Sequence, residues 1–142
     1  IGLNLTTILL YIIMEEKYPS LGVRIQSAFI DTILIIILMI IFTNILDNFK
    51  NVPDWIRIIM FLIVFIAYEP FCMTMGCTLG NYLKGVRVRK AVDPTQKISL
   101  LQAIIRYPIK MFLGWISFLT ITSNPKRRAI HDLASGTLMI KL

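Results

Sequence analysis

A single histidine and two cysteines are all this 142-residue chain offers in the way of soft ligands and strong nucleophiles. Cys72 and Cys77 have no second pair and no histidine at ligand spacing, so a zinc site is not expected, and both read as small packing hydrophobes. His131 stands next to Asp132 with no strand-turn serine elbow elsewhere, which leaves nothing for nucleophilic catalysis. Gly76, Gly80 and Gly85 are not followed by the Lys-Ser or Lys-Thr of a phosphate loop. Gly76 and Gly80 match a small-xxx-small pair, but turn geometry is the better expectation for these glycines. No groove-reading or base-stacking module accompanies the basic excess, so nucleic acid is not an expected partner. No enzyme, metal or cofactor is expected.

What the chain has in abundance is apolar surface, 56% of residues, in blocks rather than at amphipathic spacing. That excludes disorder and exceeds the roughly 45–50% usual in soluble domains. The net charge is +7, and its lysines and arginines fall between the apolar blocks, the pattern of a multi-pass membrane protein with basic cytoplasmic loops.

Three blocks follow. Segment one runs from about Val23 to Leu46, with fifteen uncharged residues between Asp31 and Asp47. At 1.5 Å per residue it spans about 36 Å, enough to cross a bilayer as a helix. Asp47 to Asp54 is a short polar connection. Segment two runs from about Pro53 to Thr74; Trp55 suits the interface, and Pro70 is expected to kink or end the helix. A basic loop from Gly76 to Lys97 holds Lys84, Arg87, Arg89, Lys90 and Lys97 against Asp93 alone, with Asp93-Pro94 as a turn. Segment three, about Ile98 to Ser123, is interrupted by Arg106, Pro108, Lys110 and Gly114.

Both the loop at residues 84–97 and the run Lys126-Arg127-Arg128 favour the cytoplasm, which a single crossing of segment three would forbid. The expectation is therefore an all-α membrane protein: two transmembrane helices plus a broken or re-entrant third segment. The return would let Val86–Arg89 pair with Thr137–Leu142 as a short cytoplasmic β-ribbon. Residues 1–22 form an N-terminal tail, ahead of a membrane domain at 23–142. Ile1 is not a usual translation start, and the apolar stretch Ile8 to Met14 is too short to span, so a signal remnant or an interfacial helix is expected.

The intramembrane charges are the candidate site. Arg24 and Asp31 lie seven apart on one helical face. Asp31 reads either as a structural ion-pair partner of a basic residue such as Arg106, or as a proton or cation ligand. Glu69 reads either as a bonded structural glutamate or as a second carboxylate facing the same cavity. Arg106 and Lys110, one turn apart, read as anchors to anionic lipid, or Arg106 as counter-ion of Asp31 or Glu69. His131 is expected to cap or anchor the C-terminal segment.

In order, Arg24-Ile-Gln-Ser-Ala-Phe-Ile-Asp31, Thr78-Leu-Gly80, Gly85-Val-Arg87-Val88, Arg106 and His131-Asp132-Leu-Ala-Ser-Gly136-Thr137 resemble the motifs of the RDD family of bacterial membrane proteins. Asn81 stands where that family usually has lysine. The resemblance covers about residues 20–142 and maps the Arg-Asp-Asp signature to Arg24, Asp31 and Asp132. It implies a helical domain in the bacterial cytoplasmic (inner) membrane, and transport; some relatives are associated with sodium/proton antiport. The expected function is an ion or small-solute transporter, in which Asp31 and Glu69 carry a monovalent cation or proton and Arg24 and Arg106 tune them. It would act as a homo-oligomer among membrane lipids. The alternative is a non-transporting accessory or assembly subunit of a larger membrane complex.

Overall fold

The computed structural model describes residues 4–142, with side chains at all of these but 14 and 15. Residues 1–3 of the tail, with the unusual Ile1, lie outside the described ones. The elements are α1 (Leu5–Lys17), α2 (Leu21–Asp47), α3 (Asp54–Met75), α4 (Leu79–Leu83), β1 (Val86–Lys90), α5 (Leu100–Leu113), a 3-10 helix (Gly114–Ile121), α6 (Ile130–Ser135) and β2 (Thr137–Lys141).

Three helical runs are long and apolar enough to cross a membrane by length and composition: Leu21–Asp47, Asp54–Met75 and Leu100–Ile121, with hydropathies of 2.6, 2.1 and 1.3. Their packing is inside out relative to a water-soluble bundle. The buried residues of α2 are Arg24, Ser27 and Asp31, at i, i+3 and i+7. Ile33, Ile36, Ile37, Ile40 and Ile41 on the same helix stay 43–56% exposed. Likewise α3 buries Glu69, Pro70 and Met73, and α5 buries Ala103, Arg106 and Tyr107. This is the arrangement that hydrocarbon surroundings favour, because apolar surface loses nothing against lipid while polar side chains must find partners inside.

Two helix breaks expected from proline do not occur. α3 runs through Pro70 to Met75, and α5 runs through Pro108 to Leu113. A proline removes one backbone bond, and flanking buried residues (Glu69 and Met73, Arg106 and Tyr107) hold each helix against its neighbours. Segment three does change course, at Gly114, whose φ of 48° and ψ of −122° end α5. Beyond it the 3-10 helix packs back against α6: Thr120 Oγ1 donates to the Arg128 carbonyl at 2.8 Å, and Ser117 Oγ meets the His131 ring.

The ribbon forms as an antiparallel β1–β2 pair, in register from Val86 opposite Lys141 to Lys90 opposite Thr137. Val86 and Val88 are fully buried while Arg87 and Arg89 are half-buried, the alternation their sequence shows. With Met73, Ile98, Ala103 and Met139 they make the small apolar core. Arg128 Nε donates to the Thr137 carbonyl at 2.8 Å, so the two basic stretches, 84–97 and 126–128, share one end of the molecule.

Candidate functional site: a buried ion-pair clasp and a separate carboxylate

Asp132, in the first turn of the six-residue α6, is completely buried and holds two arginines from two different helices. Arg24 Nη1 of α2 donates to its Oδ2 at 2.6 Å and Arg106 Nε of α5 to its Oδ1 at 3.0 Å. The Ala129 amide and the Thr137 hydroxyl add donors at 3.2 and 3.4 Å. Arg106 then reaches Glu69 of α3 through Nη1 at 3.0 Å, and Lys110 Nζ grips both Glu69 oxygens at 2.8 and 2.7 Å. The chain Arg24–Asp132–Arg106–Glu69–Lys110 thus ties α2, α6, α5 and α3 together. Arg24 Nη2 also donates to the Arg127 carbonyl at 2.5 Å.

His131 sits against this clasp. A guanidinium only donates, so at 3.3 Å from Arg106 Nη2 the His131 Nε2 accepts, and Nδ1–H faces Ser117 Oγ. Burial, and then the Arg106 charge, push the imidazole down to about 2. Burial alone would raise the Asp132 carboxyl, but Arg24 and Arg106 together outweigh it and hold the group well below the usual carboxylate range.

Asp31 stands apart. Its Oδ2 accepts from the Thr78 hydroxyl at 2.6 Å, and its Oδ1 from the Gly80 amide at 2.8 Å and the Tyr68 hydroxyl at 3.0 Å. All three donors are neutral. The approach that makes them possible rests on Gly80: a Cβ there would lie 2.1 Å from the Ser27 carbonyl oxygen and 2.9 Å from the Asp31 carboxylate. Close helix contact, not turn geometry, is therefore the reason for this glycine, whereas Gly85 does occupy a left-handed turn position at φ 63°. Beside it Ser27 Oγ donates to Asn81 Oδ1 at 2.5 Å. A cavity of about 20 Å³, the size of one water molecule, has Asp31, Ser27, Asn81, Arg24, Arg106 and His131 among its lining residues.

The structure thus brings Arg24, Glu69, Arg106, His131 and Asp132 together and leaves Asp31 outside their ion pairs. Arg106 is partner to Glu69 and Asp132, not to Asp31, and Arg24 is partner to Asp132 although it shares a face with Asp31. Lys110, one turn beyond Arg106, faces the same glutamate. Gly136 closes α6 in a left-handed conformation at φ 66°, which delivers Thr137 to Asp132. Arg87 lies on the ribbon, away from the clasp, and its guanidinium covers the Tyr82 ring. The sequence reading misses Ser27, Tyr68, Thr78, Asn81 and Ser117. Ser27 carries a signal in its place at i+3 between Arg24 and Asp31, and Thr78 and Asn81 carry one in the stretch that resembles the family motif, without a role attached.

Compared with known families, residues 18–136 match the model of the RDD family. The chain belongs to the RDD family. No curated protein and no solved structure matches it. In this RDD protein the signature positions divide: Arg24 and the second aspartate, Asp132, form one buried pair, and the first aspartate, Asp31, takes neutral donors.

A pH dependence follows from His131. Its folded state refuses the proton that the unfolded chain accepts below its ordinary value near 6.5, so stability falls on acidification from there, by up to about 1.4 kcal/mol per unit. Asp132, depressed as well, adds its loss only below about pH 4. Thermal unfolding in detergent between pH 7.5 and 4.5 should show the decline, and His131→Gln should flatten it.

Proposed function

We propose that this RDD protein is a membrane transporter in which Asp31 exchanges a proton for a monovalent cation. The observation that carries the reading is the division of the buried carboxylates. Among the described residues Asp31, Glu69 and Asp132 are buried, and only Asp31 lacks a cationic partner. Oxygen ligands suit a hard monovalent cation, and the Asp31 carboxylate is grouped with the Thr78 and Ser27 hydroxyls and the Asn81 amide carbonyl. Proton and cation would compete for one carboxylate, which couples their fluxes. Glu69, clamped by Arg106 and Lys110, then serves position rather than carriage.

The same reading sets the protein in the cytoplasmic membrane with α2 and α3 crossing. The 100–121 run enters and returns on the cytoplasmic side, so that residues 84–97, 126–128 and the ribbon stay there. The shared end of the two basic stretches supports this. α1, about 20 Å long with Leu5 to Ile13 all exposed, lies in the interface. A cavity the size of one water is no pathway, so the path forms between copies.

A second reading, an accessory subunit of a larger membrane complex, draws on the clasp itself, whose five charged side chains are all paired and fasten four elements. Liposomes holding the purified protein and a pH dye, given Na⁺, K⁺ or Li⁺ outside, separate the two. Transport predicts a cation-dependent pH change, reduced at least tenfold in Asp31→Asn with the fold intact. No flux from folded protein moves the reading to the accessory subunit.

A further inference from the structure

Five cations, Lys84, Arg87, Arg89, Lys90 and Lys97, lie between α4 and α5, and none forms an ion pair with a described residue. The acid in this stretch, Asp93, is engaged by Thr95 and Gln96. Three of the five have evident tasks. Lys97 Nζ donates to the Met75 carbonyl at 2.9 Å and Arg89 Nη1 to the Gly76 carbonyl at 3.5 Å, which sets two positive charges on the C-terminal end of α3, where carbonyls lack helical partners. Lys90 Nζ donates to Gln96 Oε1 at 2.9 Å.

Lys84 and Arg87 remain. The Lys84 ammonium makes no hydrogen bond to a described residue, its backbone amide alone being engaged, by the Gly80 carbonyl at 3.1 Å. Arg87 spends one donor on the Val86 carbonyl at 2.9 Å and lies 5.5 Å from the centre of the Tyr82 ring, which fixes its plane and leaves other N–H groups available. Tyr82 and Leu83 are 63% and 59% exposed. All four residues follow within twelve positions of Met75, where a membrane-length helix ends.

We infer that Lys84 and Arg87 seat the phosphate of an anionic phospholipid, with Tyr82 and Leu83 against its glycerol and upper acyl chain. Two cations three positions apart in the chain, neither paired with a carboxylate of a described residue, suit a phosphate diester, and a guanidinium can hold two of its oxygens. The exposed tyrosine and leucine favour lipid over a free phosphate ion, since a free ion gains nothing from them. The inference rests on the membrane placement above but not on transport.

The test is native mass spectrometry of the whole protein in neutral detergent, titrated with phosphatidylglycerol, phosphatidylcholine or inorganic phosphate. Phosphatidylglycerol should bind at least tenfold more tightly than phosphatidylcholine. Each of Lys84→Gln and Arg87→Gln should weaken it about fivefold, and Arg87→Lys should restore part of the loss. Equal binding of the two lipids, or unchanged phosphatidylglycerol binding in the folded double variant, overturns the inference. So does inorganic phosphate displacing the lipid at equal concentration, which would make the seat one for a free anion. A protein that binds phosphatidylglycerol in this way yet moves no cation retires transport and leaves the lipid seat standing.

Discussion

Gly80→Ala should abolish most of the folded, monodisperse protein. The added Cβ would meet the Ser27 carbonyl oxygen at 2.1 Å, and that oxygen is backbone of α2, which has no rotamer to yield. α4 must then lift away from α2. Doing so stretches the Gly80 and Thr78 bonds to Asp31, at 2.8 and 2.6 Å, and the 2.5 Å Ser27–Asn81 bond. Overpacking costs about 1–3 kcal/mol, and each buried hydrogen-bonding group left without its partner about 1–3 kcal/mol. Together they rival the whole stability of a small domain, about 5–15 kcal/mol. Gly22→Ala, in the same helix as Ser27 and with nothing nearer than 4.0 Å, is the control and should be neutral. Fluorescence-detected gel filtration followed by a thermal scan reads both variants. Equal behaviour would mean that α4 does not dock as described.

Asp132→Asn should be nearly as damaging, by about 3–5 kcal/mol, because it leaves the buried Arg24 without a carboxylate and takes one of two from Arg106. Arg24, 2% exposed, has Asp132 as its carboxylate, whereas Arg106 keeps Glu69. That asymmetry gives the account a second handle. The double variant Arg24→Met with Asp132→Asn removes the stranded charge and should be more stable than Asp132→Asn alone, with a coupling of about 1–3 kcal/mol. Arg106→Met should not rescue in this way, since it strands Glu69 with only Lys110. Chemical unfolding in detergent of the four corners of each cycle measures this. Strict additivity for Arg24 and Asp132 would contradict a direct buried pair.

The parts of this fold that are legible in sequence are those where the solvent dictates the answer. α2 and α3 follow from uncharged runs of bilayer length, and the ribbon from the alternation of Val86, Arg87, Val88 and Arg89 with a matching stretch after Gly136. The shared face of Arg24 and Asp31 is legible too, since it needs only helical periodicity. What stands opposite that face is not. Asp132 lies in a six-residue helix too short to show a period, 108 residues from the arginine it holds. Arg106 therefore looks like the natural partner of Asp31 until α6 is placed. Pro70 and Pro108 mislead as helix ends because the sequence shows a missing N–H but not the neighbours that keep each helix going past it. Gly80, in a stretch rich in glycine, reads as a turn, and only the approach of α4 to α2 reveals that its lack of a side chain matters.

The separation of Asp31 from the clasp is the centre of the account, and it makes a prediction that needs no liposome. Concentrated protein in weakly buffered detergent, titrated with Na⁺, K⁺ or Li⁺, should release a proton, followed with a soluble pH dye. The release should persist in the folded double variant Lys84→Gln with Arg87→Gln and vanish in Asp31→Asn. Undiminished release from folded Asp31→Asn, or none from the unaltered protein with any of the three cations, would contradict the assignment of Asp31 as the carrier.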